Sequence, residues 1–246
     1  MQRRHFSHAV MGSLGALALS HEAGWAQKAP FQEGIEYLTL DKRVPTDAGK
    51  GKIEVIEFFW YSCPHCNAFE PRFAEWVSKV SKDIEVKRVP VRFRDDFEPQ
   101  QRMFYVLEAL EKVEALHVKL FQAIHVERQN LSSADALATW AEKQGIPKAK
   151  FQEVYNSFGI VSKARRATQL QESFKVQGVP ALGVAGRFYT DGSLAGSMER
   201  ALQIADYLLG EVLCSFKNKI KIKIFTIITK YDCRFKSINV SKEICD

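Results

Sequence analysis

Two cysteines separated by two residues, Cys63 and Cys66, are the residues of this chain best suited to chemistry. An apolar run rich in β-branched and aromatic residues, 53–61, precedes them and predicts a buried strand. A helical pattern of apolar residues follows as far as residue 80, so the pair lies where a strand meets a helix N-terminus. The unpaired N–H groups and positive dipole end of that helix favour a thiolate. We therefore expect Cys63 to be exposed with a lowered pKa, and Cys66 to be buried one turn further on.

A C-x-x-C pair is also half of many zinc sites. A zinc site needs a second pair of ligands, and the other cysteines, Cys214, Cys233 and Cys245, are distant and lack that spacing. His65 cannot easily reach the same ion from inside the tight turn. The setting between a strand and a helix therefore favours a redox-active disulfide over a metal site or a purely structural bridge.

The two residues inside the motif, Pro64 and His65, adjust its reactivity. Pro64 suits the first turn of the helix because its missing N–H costs nothing there. His65, when protonated or donating to sulfur, further stabilises the Cys63 thiolate. A stabilised thiolate favours the reduced form, which makes the disulfide a stronger oxidant. These two residues and the two cysteines are the candidate catalytic residues.

Residues 1–26 have the pattern of an export signal peptide. Arg3 and Arg4 form a positive start, residues 9–19 are an apolar stretch too short to span a membrane, and the small residues Gly24 and Ala26 follow where a signal peptidase would read them. The paired arginines leave open whether export uses the general or the twin-arginine route. An exported protein reaches a compartment in which disulfides persist.

The formal net charge of +6 is concentrated at the chain ends. Residues 27–213 carry 25 basic and 25 acidic residues, so the body of the protein does not predict nucleic-acid binding. The tail, 214–246, is atypical, with seven Lys and seven Ile. Its alternation permits a strand, but we expect a segment of low order, with a basic membrane- or partner-binding tail as the alternative.

The pattern of apolar residues divides the body into three parts. Residues 27–98 alternate strand and helix patterns, 99–162 are helical throughout, and 163–213 return to mixed patterns ending in a helix that we expect to stop at Gly210. This predicts an α/β fold with an inserted all-helical subdomain. Two histidines inside the insert, His117 and His125, are interpreted as ordinary helix residues because no third metal ligand is in sight.

The C-P-H-C tetrapeptide at residues 63–66, the preceding E-F-F, the following F-E and the distant pair Val179-Pro180 resemble the DsbA family of thiol:disulfide oxidoreductases. The resemblance implies a thioredoxin fold in which Pro180 is cis and faces the cysteines, whereas the sequence alone leaves a trans bond open. It implies that the backbone of Val179 pairs with a bound substrate strand.

The same resemblance implies an enzyme, a protein dithiol oxidase of the periplasm. Such an enzyme donates its disulfide, here Cys63–Cys66, to unfolded or partly folded exported proteins. A DsbB-like quinone-linked membrane oxidase then reoxidises it. The resemblance implies no cofactor beyond the redox-active disulfide.

Two acidic residues near the motif, Glu57 and Glu70, match acidic residues of that family. Glu57 lies within the predicted strand, where it either touches polar groups or relays a proton to Cys66. For Glu70, a role in adjusting the cysteine pKa competes with a place on a solvated helix face.

Two other functions remain open for the same compartment. A peptide-binding chaperone would hold extended chains against the apolar surface around Trp60 and Pro180. A disulfide isomerase is less favoured because the chain shows no separate dimerisation domain. Cys63→Ser separates these classes, since it would leave a chaperone active and abolish an oxidase.

Overall fold

A mixed five-stranded sheet forms the centre of the computed structural model, which describes the backbone of residues 30–231 and the side chains of residues 30–215. The predicted export signal and residues 232–246 lie outside these ranges. The strand order is β1-β5-β4-β2-β3; β2 and β3 are parallel and the other neighbours antiparallel. The strands are β1 Leu38–Thr39, β2 Ile53–Phe59, β3 Ile84–Pro90, β4 Ala181–Val184 and β5 Phe188–Asp191.

Eight α-helices and one short 3₁₀ helix, Asp95–Phe97, complete the described part of the chain. No helix in these ranges combines the length and apolar character needed to cross a bilayer. The α-helices are α1 Pro64–Lys79, α2 Glu98–Ala109, α3 Val113–His125, α4 Ala134–Lys143, α5 Lys148–Tyr155, α6 Phe158–Ser173, α7 Gly192–Ala195 and α8 Met198–Tyr231.

Strand β2 is buried along its whole length because apolar residues cover both faces of the sheet. Successive side chains of a strand point to opposite faces. Ile56 and Phe58 accordingly belong to the apolar cluster built with the inserted helices, and Val55 belongs to a second cluster with residues of α1 and α8. Glu57 alternates with Ile56 and Phe58, which places a carboxyl group on the α1 side.

The helical insert extends further than its predicted boundaries suggest. Helix α6 is continuous from Phe158, where the Ser157 side chain accepts a hydrogen bond from the Ile160 N–H. The predicted boundary after residue 162 therefore falls inside a helix, which leads directly from the insert towards β4. The start of α4 is set locally, since the Ser133 side chain accepts a hydrogen bond from the Ala136 N–H.

Helix α8 does not stop at Gly210, and that prediction was wrong. A glycine ends a helix when it adopts a left-handed backbone, but Gly210 stays helical. Inside a helix it costs only about 1 kcal/mol relative to alanine. Val212, two residues later, is buried in the core and favours continuation. The helix runs on to Tyr231, so the first half of the tail is helical, neither a strand nor a segment of low order.

Candidate active site: the Cys63–Cys66 pair and the charges behind it

Cys63 is the N-cap residue of α1, and its sulfur accepts a hydrogen bond from the Cys66 N–H at 3.3 Å. Both cysteines are free thiols, so the structure has the reduced form of the pair. Cys63 is 7% exposed and Cys66 is 0% exposed. The expectation that Cys63 is exposed was therefore wrong, because the loop at Val179 lies against it: the Cys63 sulfur lies 3.4 Å from the Val179 carbonyl oxygen.

The two thiols have opposite pKa shifts. The pKa of Cys63 is lowered to about 6, first by a hydrogen bond from the Cys66 side chain, then by the backbone N–H groups of Cys66 and His65 and by the charge of His65, against an opposing effect of burial. Burial raises the pKa of Cys66, and the hydrogen bond and charge of Cys63 raise it further. At neutral pH the pair therefore consists of a Cys63 thiolate and a Cys66 thiol.

The other predicted residues of the motif and its loop surround the Cys63 sulfur. Pro64 and His65 are exposed on the first turn of α1. The Val179–Pro180 peptide bond is cis, as the resemblance implies. A cavity of about 390 Å³ opens beside this loop. Its lining includes His65, Val179, Pro180, Asp191, Ser197 and Met198.

Behind the cysteines, Glu57 is buried, with 1% of its surface exposed. It is the register partner of Arg88 in the neighbouring parallel strand, and the Arg88 Nε lies 3.2 Å from a Glu57 carboxylate oxygen. The pKa of Glu57 is raised to about 8, chiefly by burial and also by the charge of Glu70, against the opposing charge of Arg88. The charge of Glu57 in turn contributes to the raised pKa of Cys66, which links the two groups electrostatically.

Glu70 is also buried, at 4% exposed, so it does not lie on a solvated helix face. Arg88 Nη2 contacts one of its carboxylate oxygens at 2.5 Å, and His117 Nε2 of α3 lies 3.4 Å from the other. The sequence analysis missed Arg88, and it was wrong to interpret His117 as an ordinary helix residue. His117 is 3% exposed, and its Nδ1 lies 2.8 Å from the Tyr61 hydroxyl oxygen.

Residues 89–203 match the model of the DSBA-like thioredoxin domain family. Over 197 residues the chain is 40% identical to the thiol:disulfide interchange protein DsbA of Bordetella parapertussis, covering 80% of this chain and 93% of that protein. The chain belongs to the DsbA family of thiol:disulfide oxidoreductases. It is also 37% identical over 194 residues to DsbA of Pseudomonas aeruginosa, covering 78% of this chain and 92% of the relative.

Solved structures of the DsbA family confirm the predicted fold. The crystal structure of Pseudomonas aeruginosa DsbA superposes with a TM-score of 0.72 at 36% identity, covering 76% of this chain and 97% of that one. The structure of the oxidoreductase DsbA from Xylella fastidiosa gives a TM-score of 0.70 at 27% identity, covering 76% and 100%. The predicted thioredoxin fold with a helical insert and the predicted family are both correct.

In this DsbA-family chain the insert also holds the loop that precedes the cysteines. The Gln100 side-chain oxygen accepts from the Ser62 N–H at 3.1 Å, and its amide nitrogen donates to the Leu131 carbonyl. His125 Nε2 lies 2.8 Å from the Tyr61 carbonyl oxygen. These contacts could not be predicted from the sequence, because they join residues far apart in the chain.

Proposed function

We propose that this chain is an exported dithiol oxidase that donates the Cys63–Cys66 disulfide to newly exported proteins. The observation that carries the proposal is the asymmetry of the pair: an acidic thiol at the N-cap of α1, and a fully buried partner with a raised pKa. Such a pair is poised to react at one sulfur only.

In the first step a substrate thiolate attacks the Cys63 sulfur of the oxidised pair. The bond between the two enzyme sulfurs breaks, a mixed disulfide forms between the substrate and Cys63, and Cys66 leaves as a thiolate. In the second step another substrate thiolate attacks the substrate sulfur of that mixed disulfide. Cys63 then leaves as a thiolate, and the substrate gains a disulfide while the enzyme gains two electrons.

The low pKa of Cys63 favours this direction of transfer. A thiol with a lower pKa is the better leaving group, and a stabilised thiolate favours the reduced enzyme. A pKa of about 6 keeps Cys63 ionised at neutral pH after it leaves. The pair therefore transfers its disulfide outwards rather than holding it.

The Cys66 thiolate formed in the first step needs a proton, and Glu57 is suited to supply it. With a pKa of about 8, Glu57 is mostly protonated at neutral pH, and its charge is coupled to that of Cys66. We assign Glu57 as the proton donor to Cys66 and Glu70 as a group that raises the pKa of Glu57.

The cavity beside the cis-proline loop is the place for a substrate chain. Val179 is partly exposed, lines this cavity and has its carbonyl oxygen 3.4 Å from the Cys63 sulfur, so an extended peptide pairing with its backbone would reach that sulfur. The predicted export signal at residues 1–26 supports a periplasmic location. A DsbB-like quinone-linked membrane oxidase would reoxidise the enzyme, and the disulfide would be its only redox group.

The test is a stoichiometric oxidation of a reduced, unfolded protein that carries native disulfides. The oxidised chain should form one disulfide in the substrate per molecule and become reduced, with a reduction potential more positive than that of glutathione. Cys63→Ser should abolish the transfer. A potential more negative than that of glutathione, or full activity of Cys63→Ser, would contradict the proposal.

A further inference from the structure

A series of neighbouring charged and polar side chains leads from the cysteine pair towards the helical insert. Glu57 is electrostatically coupled to Cys66, Arg88 lies between Glu57 and Glu70, and His117 lies against Glu70. The dithiol chemistry proposed above needs Glu57 but gives His117 no role. His117 is nevertheless a buried titratable residue placed inside the active-site cluster.

The surroundings of His117 define its protonation. The rings of Phe59, Phe104 and Phe121 pack around the imidazole, with centroids 5.2–5.9 Å away. Its polar neighbours among the described residues are the Tyr61 hydroxyl at Nδ1 and the Glu70 carboxylate at Nε2. Burial lowers the pKa of His117 and outweighs the opposing effect of Glu70, so the ring is neutral.

A neutral imidazole can satisfy both polar neighbours in one arrangement. The Tyr61 hydroxyl donates to Nδ1, and the Nε2 proton points to the Glu70 carboxylate. His117 Nε2 thereby faces the Glu70 oxygen that Arg88 does not contact, at 3.4 Å. Contacts on both oxygens hold the Glu70 carboxylate in the orientation that pairs it with Arg88.

We propose that His117 is a positioning residue that holds the Glu70 carboxylate against Arg88 and thereby keeps Glu57 protonated as the donor to Cys66. The charge of Glu70 disfavours a negative charge on Glu57, and Glu70 competes with Glu57 for Arg88. Without His117, the Glu70 carboxylate is free to turn away from Arg88, Arg88 pairs with Glu57 instead, and Glu57 ionises at lower pH. The inference rests on the proposed role of Glu57, and it gives the helical insert a part in the chemistry.

The test compares the wild type with His117→Phe, which keeps a ring but removes both nitrogens. The rate constant for reduction of the oxidised enzyme by a cysteine peptide is measured from pH 6 to pH 9. Dividing the variant's rate constant by that of the wild type at each pH removes the pH dependence that comes from ionisation of the peptide thiol. We expect a ratio of about one at pH 6 that falls to about one tenth at pH 9, as a shift of about one unit in the Glu57 pKa requires.

Two further variants separate positioning from packing. His117→Gln retains a donor and an acceptor and should restore most of the wild-type pH profile. Tyr61→Phe removes only the hydroxyl group and should move the ratio in the same direction as His117→Phe, which keeps the test decisive if His117→Phe does not fold. A ratio that is flat with pH in both disruptive variants would overturn the inference.

A matched control is Gln101→Met, since Gln101 is a buried polar residue of the insert that donates to the Pro90 carbonyl but does not contact the cluster. It should lower the stability of the protein and leave its rate ratio to the wild type independent of pH. A ratio that falls with pH in Gln101→Met would mean that loosening of the insert explains the effect, which also overturns the inference.

Glu57→Gln separates the two proposals. If it retains the wild-type rate, the role of Glu57 fails and His117 with it; if it is slow while the His117→Phe ratio is flat, only His117 fails.

Discussion

Cys63 and Cys66 differ in reactivity because one caps a helix and the other lies inside the core. We predict that alkylation of the reduced protein modifies Cys63 first, with a half-maximal rate near pH 6, which follows its pKa of about 6. Cys66 should stay unmodified at mildly acidic pH because it is fully buried and its pKa is raised. Peptide mapping by mass spectrometry measures both, and predominant labelling of Cys66 would reverse the assignment.

The same thiolate should make the stability of the reduced form depend on pH. The pKa of Cys63 in the folded protein, about 6, is below its ordinary value of 9.0. The thiolate therefore stabilises the fold fully above pH 9, and this stabilisation is lost as the pH falls through 6. We predict that the unfolding free energy of the reduced form, minus that of the oxidised form, rises between pH 6 and pH 8.5. The slope should not exceed about 1.4 kcal/mol per pH unit.

Denaturant melts of both forms provide the measurement for this prediction. Glu57 titrates in both forms, so its contribution largely cancels in the difference. The reduced form should be the more stable one at pH 8. A difference that does not change with pH would show that the thiolate is not stabilised by the fold.

At the residue scale, local sequence was enough to find the thiols but not the groups behind them. The strand, the C-x-x-C spacing and the helix are contiguous, so the place of Cys63 could be predicted from neighbours alone. Arg88 and His117 come from β3 and α3, and only the parallel register and the packing of the insert bring them to Glu57 and Glu70. A carboxyl group in a buried strand does need a counter-ion, and that requirement was the available signal for Arg88.

The helical insert and the active-site loop meet through Gln100 of α2. We predict that Gln100→Ala lowers the free energy of unfolding by about 1–3 kcal/mol, because it removes the acceptor of the Ser62 N–H and leaves the Leu131 carbonyl without its donor. Ser62→Ala is the matched control: it removes only the hydroxyl group and should cost less. Equal losses in the two variants would contradict a role of Gln100 in holding the loop.

Among the elements, those with a strong apolar period were predicted well and helix ends less well. The apolar pattern of β2 is local, and this strand lies where predicted; the Ser133 cap that starts α4 is local too. The end of α8 depends on whether Gly210 turns left-handed, and burial of Val212 decides that question through tertiary packing. The residues next to Gly210 in the sequence are not enough to predict that packing.

The whole molecule assembles one site from three distant segments. The thiols follow β2, the cis-proline loop precedes β4, and His117 belongs to the insert between them. Resemblance to the DsbA family predicted the first two, because both carry short motifs. The third has no motif, so only the folded chain shows that the insert reaches the charges behind the cysteines.

Helix α8 continues past Leu213 into the tail. Among the residues of this helix whose side chains the structure describes, 198–215, the last one buried in the core is Val212, which lies one turn after Leu208. We predict that truncation after Leu213 leaves oxidase activity unchanged and lowers the melting temperature by less than about 2–4 °C, the shift that a loss of 1 kcal/mol causes in a domain of this size. Leu208→Ala in the full chain should cost about 2–5 kcal/mol and shows that the assay detects loss of core packing.

A larger drop on truncation would mean that the tail stabilises the fold. Because Cys214 is disulfide-bonded, truncation removes a cross-link together with the helix extension. Cys214→Ser in the full chain separates the two contributions. If this variant has the same melting temperature as the truncated chain, well below that of the wild type, the cross-link provides the stability. If it has the melting temperature of the wild type while the truncated chain melts lower, the helix beyond Leu213 stabilises the fold. Our prediction requires all three proteins to melt within a few degrees of one another.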